Sequence, residues 1–310
     1  MKTSLVSISS LLLAGIVAGG RLVPAAVAAE RSAPDLKRVS YPSAATGAER
    51  DYYVYVPEGF AQQDLWPVLF FLHGNGERGD GKGDLDYLLT NGPLFEAWSQ
   101  KRHLPFVILA PQLPIFGQGE QGFIKNRTRA KIRPPKADGP YPERPNYTGH
   151  DKMDGAPADA NMPFGLDGTE EGWSMIENEL LAMLDHVIVQ FKGDRRRVIL
   201  TGLSTGGFGV WYLGSRHPDR FAALNPISAF CHPDLAEPIA KAKTPLWVFT
   251  GGRDPYFRVP FFYPGLNKLE QLGHPEVRFT IHADMGHNAW DRVYASEDLY
   301  AWFLQQRLRE

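Results

Sequence analysis

Three observations in the sequence predict an α/β protein with a mainly parallel central sheet and helices on both faces. A continuous apolar run of strand length at 66–72, followed by short apolar segments at 106–110, 198–201, 222–228, 246–250 and 277–282, fits the buried strands of a mainly parallel sheet. Segments with helical spacing fall between most of them, and that alternation argues parallel strands joined by crossover helices. Glycine-containing loops follow directly on several of the runs, at the carboxyl edge where open α/β sheets place their ligands.

Taken in order, Met1-Lys2, an apolar run over 5–20 and Ala25-Ala26-Val27-Ala28-Ala29 have the charged start, apolar middle and A-x-A-like end of a secretory signal peptide. Arg21 and Pro24 interrupt the apolar stretch, which makes it short for a membrane span, so a cleaved leader over 1–29 is expected rather than an N-terminal anchor. Residues 30–50 are small and polar and read as a tether to a single domain over 51–310. Asp51 to Pro57 carries aromatic and β-branched residues, an edge strand ended by proline. Trp66 to Leu72 is a buried strand that runs into His73-Gly74-Asn75-Gly76-Glu77-Arg78-Gly79. Leu85 to Gln100 has helical spacing broken by Asn91-Gly92-Pro93, which predicts two short helices.

Residues 112–171 depart from the alternation. They are rich in Gly, Pro, Asp, Asn and Arg, with Phe116, Phe123, Tyr141, Tyr147 and Phe164 scattered without period, so the stretch is expected to be a lid or pocket wall. Its acidic residues Asp151, Asp154, Asp159, Asp167, Glu170 and Glu171 lack the spacing of an EF-hand loop, and no metal is expected. Helices are predicted at 173–191, 207–215, 234–242, 260–272 and 294–308 around the remaining strands.

With 310 residues, 43% hydrophobic and 22% charged, the chain suits one large domain. A formal net charge of -2 carries no basic excess, so neither a nucleic-acid partner nor an anionic membrane surface is expected, and the short N-terminal apolar stretch leaves no stable membrane insertion expected. Cys231 is the sole cysteine, which excludes an intrachain disulfide and leaves stability to core burial; it reads as a buried, inert thiol.

The chemistry centres on Val198 to Trp211, VILTGLSTGGFGVW. Gly202-Leu203-Ser204-Thr205-Gly206 is a G-x-S-x-G pattern between a strand and a helix, where a serine is held on a strained turn with its hydroxyl exposed. Ser204 is the candidate nucleophile. A serine hydroxyl needs a positioned base, and the base a group that fixes its tautomer and stabilises its cation. Chain order for such an elbow is serine, acid, histidine. His287, in the loop after the last predicted strand, suits the base; Asp254, after strand 246–250 in Gly251-Gly252-Arg253-Asp254, suits the acid. Asp284 and Asp291 are rivals by sequence proximity to His287. The oxyanion hole is assigned to the backbone amides of Thr205, the residue after the nucleophile at the start of a helix, and Asn75, in the loop after the earlier strand. His73 is expected to orient that loop and Glu77 to pair with Arg78. Trp290, Trp211, Phe116 and Phe123 are the candidate substrate-binding aromatics.

Together FFLHGNGERGD, GLSTGGFGVW, PLWVFTGGRDP and MGHNAWDRVY resemble the α/β-hydrolase fold, specifically the bacterial secreted carboxylesterase and predicted-peptidase family related to feruloyl esterases and polyhydroxybutyrate depolymerases. The resemblance spans about residues 50–308 and carries nucleophile, acid and base onto Ser204, Asp254 and His287, and the oxyanion loop onto His73 to Gly76. Thr205 stands where that family commonly has methionine, and the 112–171 insert is longer than its usual connection. The implied function is a secreted or periplasmic, cofactor-independent serine hydrolase acting on a small-molecule or polymer-linked ester. Peptide cleavage with the same residues is the alternative, and a non-catalytic binding module on the same scaffold a third reading.

Overall fold

A computed structural model describes residues 32–128, 159, 161–168 and 171–308. The expected leader over 1–29, Tyr141, Tyr147, Asp151, Asp154 and Glu170 lie outside the described residues. Among the described residues eight strands form one sheet: β1 (Asp35–Pro42), β2 (Glu49–Val56), β3 (Trp66–Leu72), β4 (Val107–Ala110), β5 (Gly193–Leu203), β6 (Ala223–Ile227), β7 (Leu246–Gly251) and β8 (Val277–His282). Their order is β1-β2-β4-β3-β5-β6-β7-β8, with β1, β2 and β4 paired antiparallel in succession and every pair from β4 to β8 parallel.

The six parallel strands are those read from apolar segments of strand length, and all seven residues of β3 are buried. Their side chains alternate between two cores. Val68, Phe70 and Leu72 point to one with Val198 and Leu200 of β5, while Leu69, Phe71 and Ile199 point to the other. The first core is closed by the helices α3 (Glu177–Gln190), α4 (Thr205–Arg216), α5 (Ala236–Ala242) and α6 (Tyr263–Gln271). Over the second lie a 3-10 turn at Leu85–Leu89, the single turn α1 (Gly92–Leu94), and α7 (Trp290–Ala295) and α8 (Glu297–Gln305); a further turn, α2 (Gly122–Lys125), stands in the insert. The terminal helix predicted over 294–308 is two helices, broken at Ser296, whose ψ of 141° is extended.

The segment expected to be a tether contains β1. Every residue from Asp35 to Pro42 pairs with β2, and Asp51 on β2 accepts hydrogen bonds from Arg38 at 2.9 Å and Ser40 at 2.7 Å. As an edge strand it buries only part of one face, so its alternation is too shallow to read as a strand.

Chain direction positions the site. From β3 the connection runs to β4 on one side, and from β5 to β6 on the other, so the loops after β3 and β5 part at a topological switch point, where α/β sheets open a crevice. Leu72 pairs with Gly202, and Leu203 with Ile227. A Cβ on Gly206 would lie 1.9 Å from the Leu72 carbonyl oxygen, and one on Gly202 would lie 2.5 Å from that of Gly206. Only glycine admits this crossing of α4 over the end of β3. The expected outcome for Gly206→Ala is a loss of more than about 3 kcal/mol of unfolding free energy or failure to fold. Gly76→Ala, whose Cβ would meet nothing within 4 Å, stays within about 0.5 kcal/mol in denaturant titration.

Candidate active site

Ser204 sits between β5 and α4 with φ 51° and ψ -120°, a left-handed conformation that costs a non-glycine residue about 1–3 kcal/mol. The turn is locked by its own backbone: the Ser204 amide donates to Ile227 O at 2.9 Å and its carbonyl accepts from the Phe208 amide at 3.2 Å. The strain turns the side chain out of the sheet and toward the loop after β8.

There His287 Nε2 lies 2.9 Å from Ser204 Oγ, and Nδ1 lies 2.7 Å from Asp254 Oδ2. A carboxylate can only accept, so Nδ1 carries the proton toward Asp254 and Nε2 is left to accept from the serine hydroxyl. Asp254 follows β7, and its other oxygen accepts from the amides of Tyr256 at 2.8 Å and Phe257 at 3.0 Å. Its side chain has no exposed surface, so all its partners are fixed groups of the fold. The loops that carry Asp254 and His287 are stitched together by Arg253 N to Met285 O at 2.9 Å and Gly252 N to His282 O at 2.9 Å, and Ser228 Oγ donates to the His287 carbonyl at 2.8 Å. The rival carboxylates are engaged elsewhere: Asp284 with Arg292 at 2.7 and 2.8 Å, Asp291 with the Asn288 amide group at 3.0 Å.

The loop after β3 faces the same point. A Cβ on Gly74 would lie 3.5 Å from Ser204 Cβ, and Asn75–Glu77 forms one 3-10 turn beside it. Thr205 opens α4, where the first amides have no partner within the helix and carry the positive end of its dipole. His73 ties this loop to the end of β4: its Nδ1 donates to Gly74 O at 2.6 Å, and Nε2 accepts from the Leu113 amide at 2.8 Å. Burial pushes its pKa down to about 3, so the ring is neutral and its tautomer fixed by its two partners. Glu77 and Arg78 do not pair. Glu77 accepts from Asn91, and burial holds its carboxyl above the usual range. Arg78 donates to Asn75 Oδ1, to Pro114 O at 3.0 Å and to Glu171 O at 2.9 Å, because the short turn directs the two side chains apart.

Of the four aromatics nominated from sequence, Trp290 adjoins the site, its ring edge-on to His287 with centroids 5.0 Å apart. Trp211 is corrected to a core residue: it is 0% exposed, and its Nε1 donates to Ala229 O at 3.1 Å, since its position on α4 points into the sheet. Phe116 packs against the first core with a φ of 48°. Phe123 is exposed and rims a cavity of about 350 Å³ beside Gly76 and Glu77. Sequence reasoning missed Tyr256 and Phe257, whose rings flank His287 at 5.5 and 4.9 Å; the signal was their place two and three residues after Asp254, within reach of an Asx turn. Phe257 continues into a cluster with Phe208 on α4, Phe230, and Phe164 from the insert.

Among the described residues no group of three or more His, Cys, Asp or Glu side chains is placed to hold a metal. Asp159 pairs with Arg258 at 2.7 Å, Asp167 accepts from Ser174, and Glu171 accepts from the Gly117 amide at 2.8 Å. Among the described residues no helix is long and apolar enough to cross a membrane.

The buried His73 carries a pH dependence. Its pKa falls from 6.5 to about 3 on folding, so between those values the unfolded chain binds the extra proton. Stability therefore rises with pH through that window and is lost as pH falls from 6.5 toward 3. The expected outcome is a shallower dependence of unfolding free energy on pH over this range in His73→Gln than in the unsubstituted protein, measured by denaturant titration.

A family model described as "Putative esterase" matches residues 140–298. A search of curated proteins finds no match. Among solved structures, a thermostable esterase is 22% identical with a TM-score of 0.59, over 88% of this chain and 63% of its own length. The fluorophosphonate-binding serine hydrolase FphF of Staphylococcus aureus is 15% identical with a TM-score of 0.55, over 88% of this chain and all of its own. The feruloyl esterase module of Clostridium thermocellum, solved with sinapinate, is 14% identical with a TM-score of 0.55, over 87% of this chain and 88% of its own. These likenesses identify the α/β-hydrolase fold, and the family match covers half the chain: the protein belongs to this esterase family.

Proposed function

We propose that the protein is an exported serine hydrolase that cleaves carboxylic esters through an acyl-enzyme intermediate. The observation that carries the reading is the hydrogen-bonded series Ser204 Oγ, His287 Nε2, His287 Nδ1, Asp254 Oδ2, at 2.9 and 2.7 Å, on a strained turn between β5 and α4.

In the first step Ser204 Oγ attacks the ester carbonyl carbon while His287 Nε2 takes its proton, and Asp254 stabilises the resulting imidazolium. The carbonyl oxygen becomes an oxyanion, met by the amides of Thr205 and Asn75. Collapse breaks the bond to the alcohol oxygen, which receives the proton from His287, leaving the acyl group on Ser204. Water then attacks the acyl carbon as His287 accepts its proton, and collapse returns that proton to Ser204 as the acid leaves. No cofactor enters these steps.

Trp290, Tyr256 and Phe257 around His287 offer apolar walls to an acyl or aryl group. Export rests on the charged, apolar and A-x-A-like succession over 1–29.

Hydrolysis of p-nitrophenyl acetate tests the reading. Ser204→Ala is expected to lower kcat/KM by at least about 10³-fold, and Asp254→Asn, which disturbs the His287 tautomer, by about 10³- to 10⁴-fold. Near-unchanged turnover in Asp254→Asn would overturn the assignment of the acid. Equal turnover of a peptide p-nitroanilide would move the activity to peptide cleavage.

A further inference from the structure

The turn Asn75–Glu77 has few internal restraints. Its backbone bond from Glu77 N to Gly74 O is long, at 3.3 Å, and a Cβ at Gly76 would meet nothing within 4 Å beyond its chain neighbours. Glycine there leaves the peptide on either side free to rotate, yet the amide of Asn75, one residue before, has to hold a single direction to stabilise an oxyanion.

His73 holds the Gly74 carbonyl, Arg78 the Asn75 side chain and Gln112 the Glu77 carbonyl; the carbonyls on either side of Glu77 are held by Arg127, just beyond α2 in the insert. Its guanidinium donates to Gly76 O at 3.2 Å and to Arg78 O, so one planar group bridges carbonyls on both sides of Glu77. Its other terminal nitrogen is ion-paired with Asp84 at 2.7 Å, and its charged carbon lies 4.2 Å from the ring centroid of Tyr87. Those contacts fix the guanidinium before it meets the loop, and its side chain is only 12% exposed. Lysine, with a point charge and no planar fork, cannot make both carbonyl bonds and the Asp84 pair in this geometry.

We propose that Arg127 is a positioning residue for the oxyanion site: by gripping the carbonyls of Gly76 and Arg78 it aims the Asn75 amide at the ester carbonyl. It thereby links catalytic competence to the insert. This rests on the reading of Ser204 as nucleophile and Asn75 as oxyanion donor. Because the oxyanion forms only after attack, the grip acts on the transition state more than on substrate binding.

The test is kinetic, on p-nitrophenyl acetate, with Arg127→Ala, Arg127→Met and Arg127→Lys. Arg127→Ala and Arg127→Met are expected to lower kcat about 10- to 100-fold with KM within about twofold, less than outright loss of an oxyanion donor. Arg127→Lys recovers part of kcat. The cavity of about 350 Å³ lined by Gly76, Glu77, Tyr87, Asn91, Phe123 and Arg127 admits a free guanidinium ion, so millimolar guanidinium chloride restores kcat to Arg127→Ala at least about threefold while leaving the unsubstituted protein unchanged. Arg127→Met keeps the apolar stem over Tyr87 and serves if Arg127→Ala does not fold. An unchanged kcat, or a loss that guanidinium leaves untouched in Arg127→Ala and the lysine variant does not relieve, overturns the proposal. Ser204→Ala run alongside separates the two claims: full activity there would sink the nucleophile itself, whatever Arg127 does.

Discussion

The approach of Gly206 to the end of β3 is the constraint on which the site depends. With 1.9 Å between the Leu72 carbonyl oxygen and a notional Cβ at Gly206, α4 can begin only where it does, directly beside the loop after β3. The chain then has one residue in which to turn from strand to helix, and Ser204 takes up that turn at φ 51°. The same crossing that strains the serine brings the start of α4 and the loop at Gly74 to its two sides, so exposure of the proposed nucleophile and the geometry of the proposed oxyanion site share one cause. The strain of about 1–3 kcal/mol is sustained by burial of β3 and β5 on both faces.

Around that turn the polar groups are held by a fixed set of partners. Asp254 is met by two amides on one oxygen and by His287 on the other, so each oxygen of this buried carboxyl group has a hydrogen-bond partner. His73 is kept neutral by burial, and its two ring nitrogens join the Gly74 carbonyl to the Leu113 amide. A charged ring there would cost desolvation beside Arg78 and Arg127; a neutral one is a crossbrace. Thr201, beneath the elbow, joins Asn225 and Tyr294 at 2.8 Å each, and Asn225 donates onward to Trp247 O at 2.6 Å, so the strand that carries Ser204 is also tied by a satisfied polar chain through the core.

Most of this architecture was legible in the residues because its causes are local. Burial in the sheet writes short, largely apolar segments, which mark the six parallel strands, and the elbow, the strand-end aspartate and the late histidine each follow one of them. What stayed hidden had no local cause. β1 buries only part of one face, so its pattern was read as a tether. The fate of Trp211 depended on which side of α4 meets the sheet, and an aromatic near a motif looks the same whether it lines a pocket or fills a core. Tyr256 and Phe257 reach His287 only because Asp254 draws their amides in. Arg127 is one arginine in a stretch rich in them, and its partners Gly76, Arg78 and Asp84 are some fifty residues away in the chain.

The claim most exposed to test is that the fold alone makes Ser204 reactive. Labelling the folded protein with a fluorophosphonate, followed by peptide mass mapping, reads this directly. The account predicts a single adduct on Ser204 that is lost when the protein is unfolded before labelling. An adduct on another residue, or one that forms equally on the unfolded chain, would contradict it.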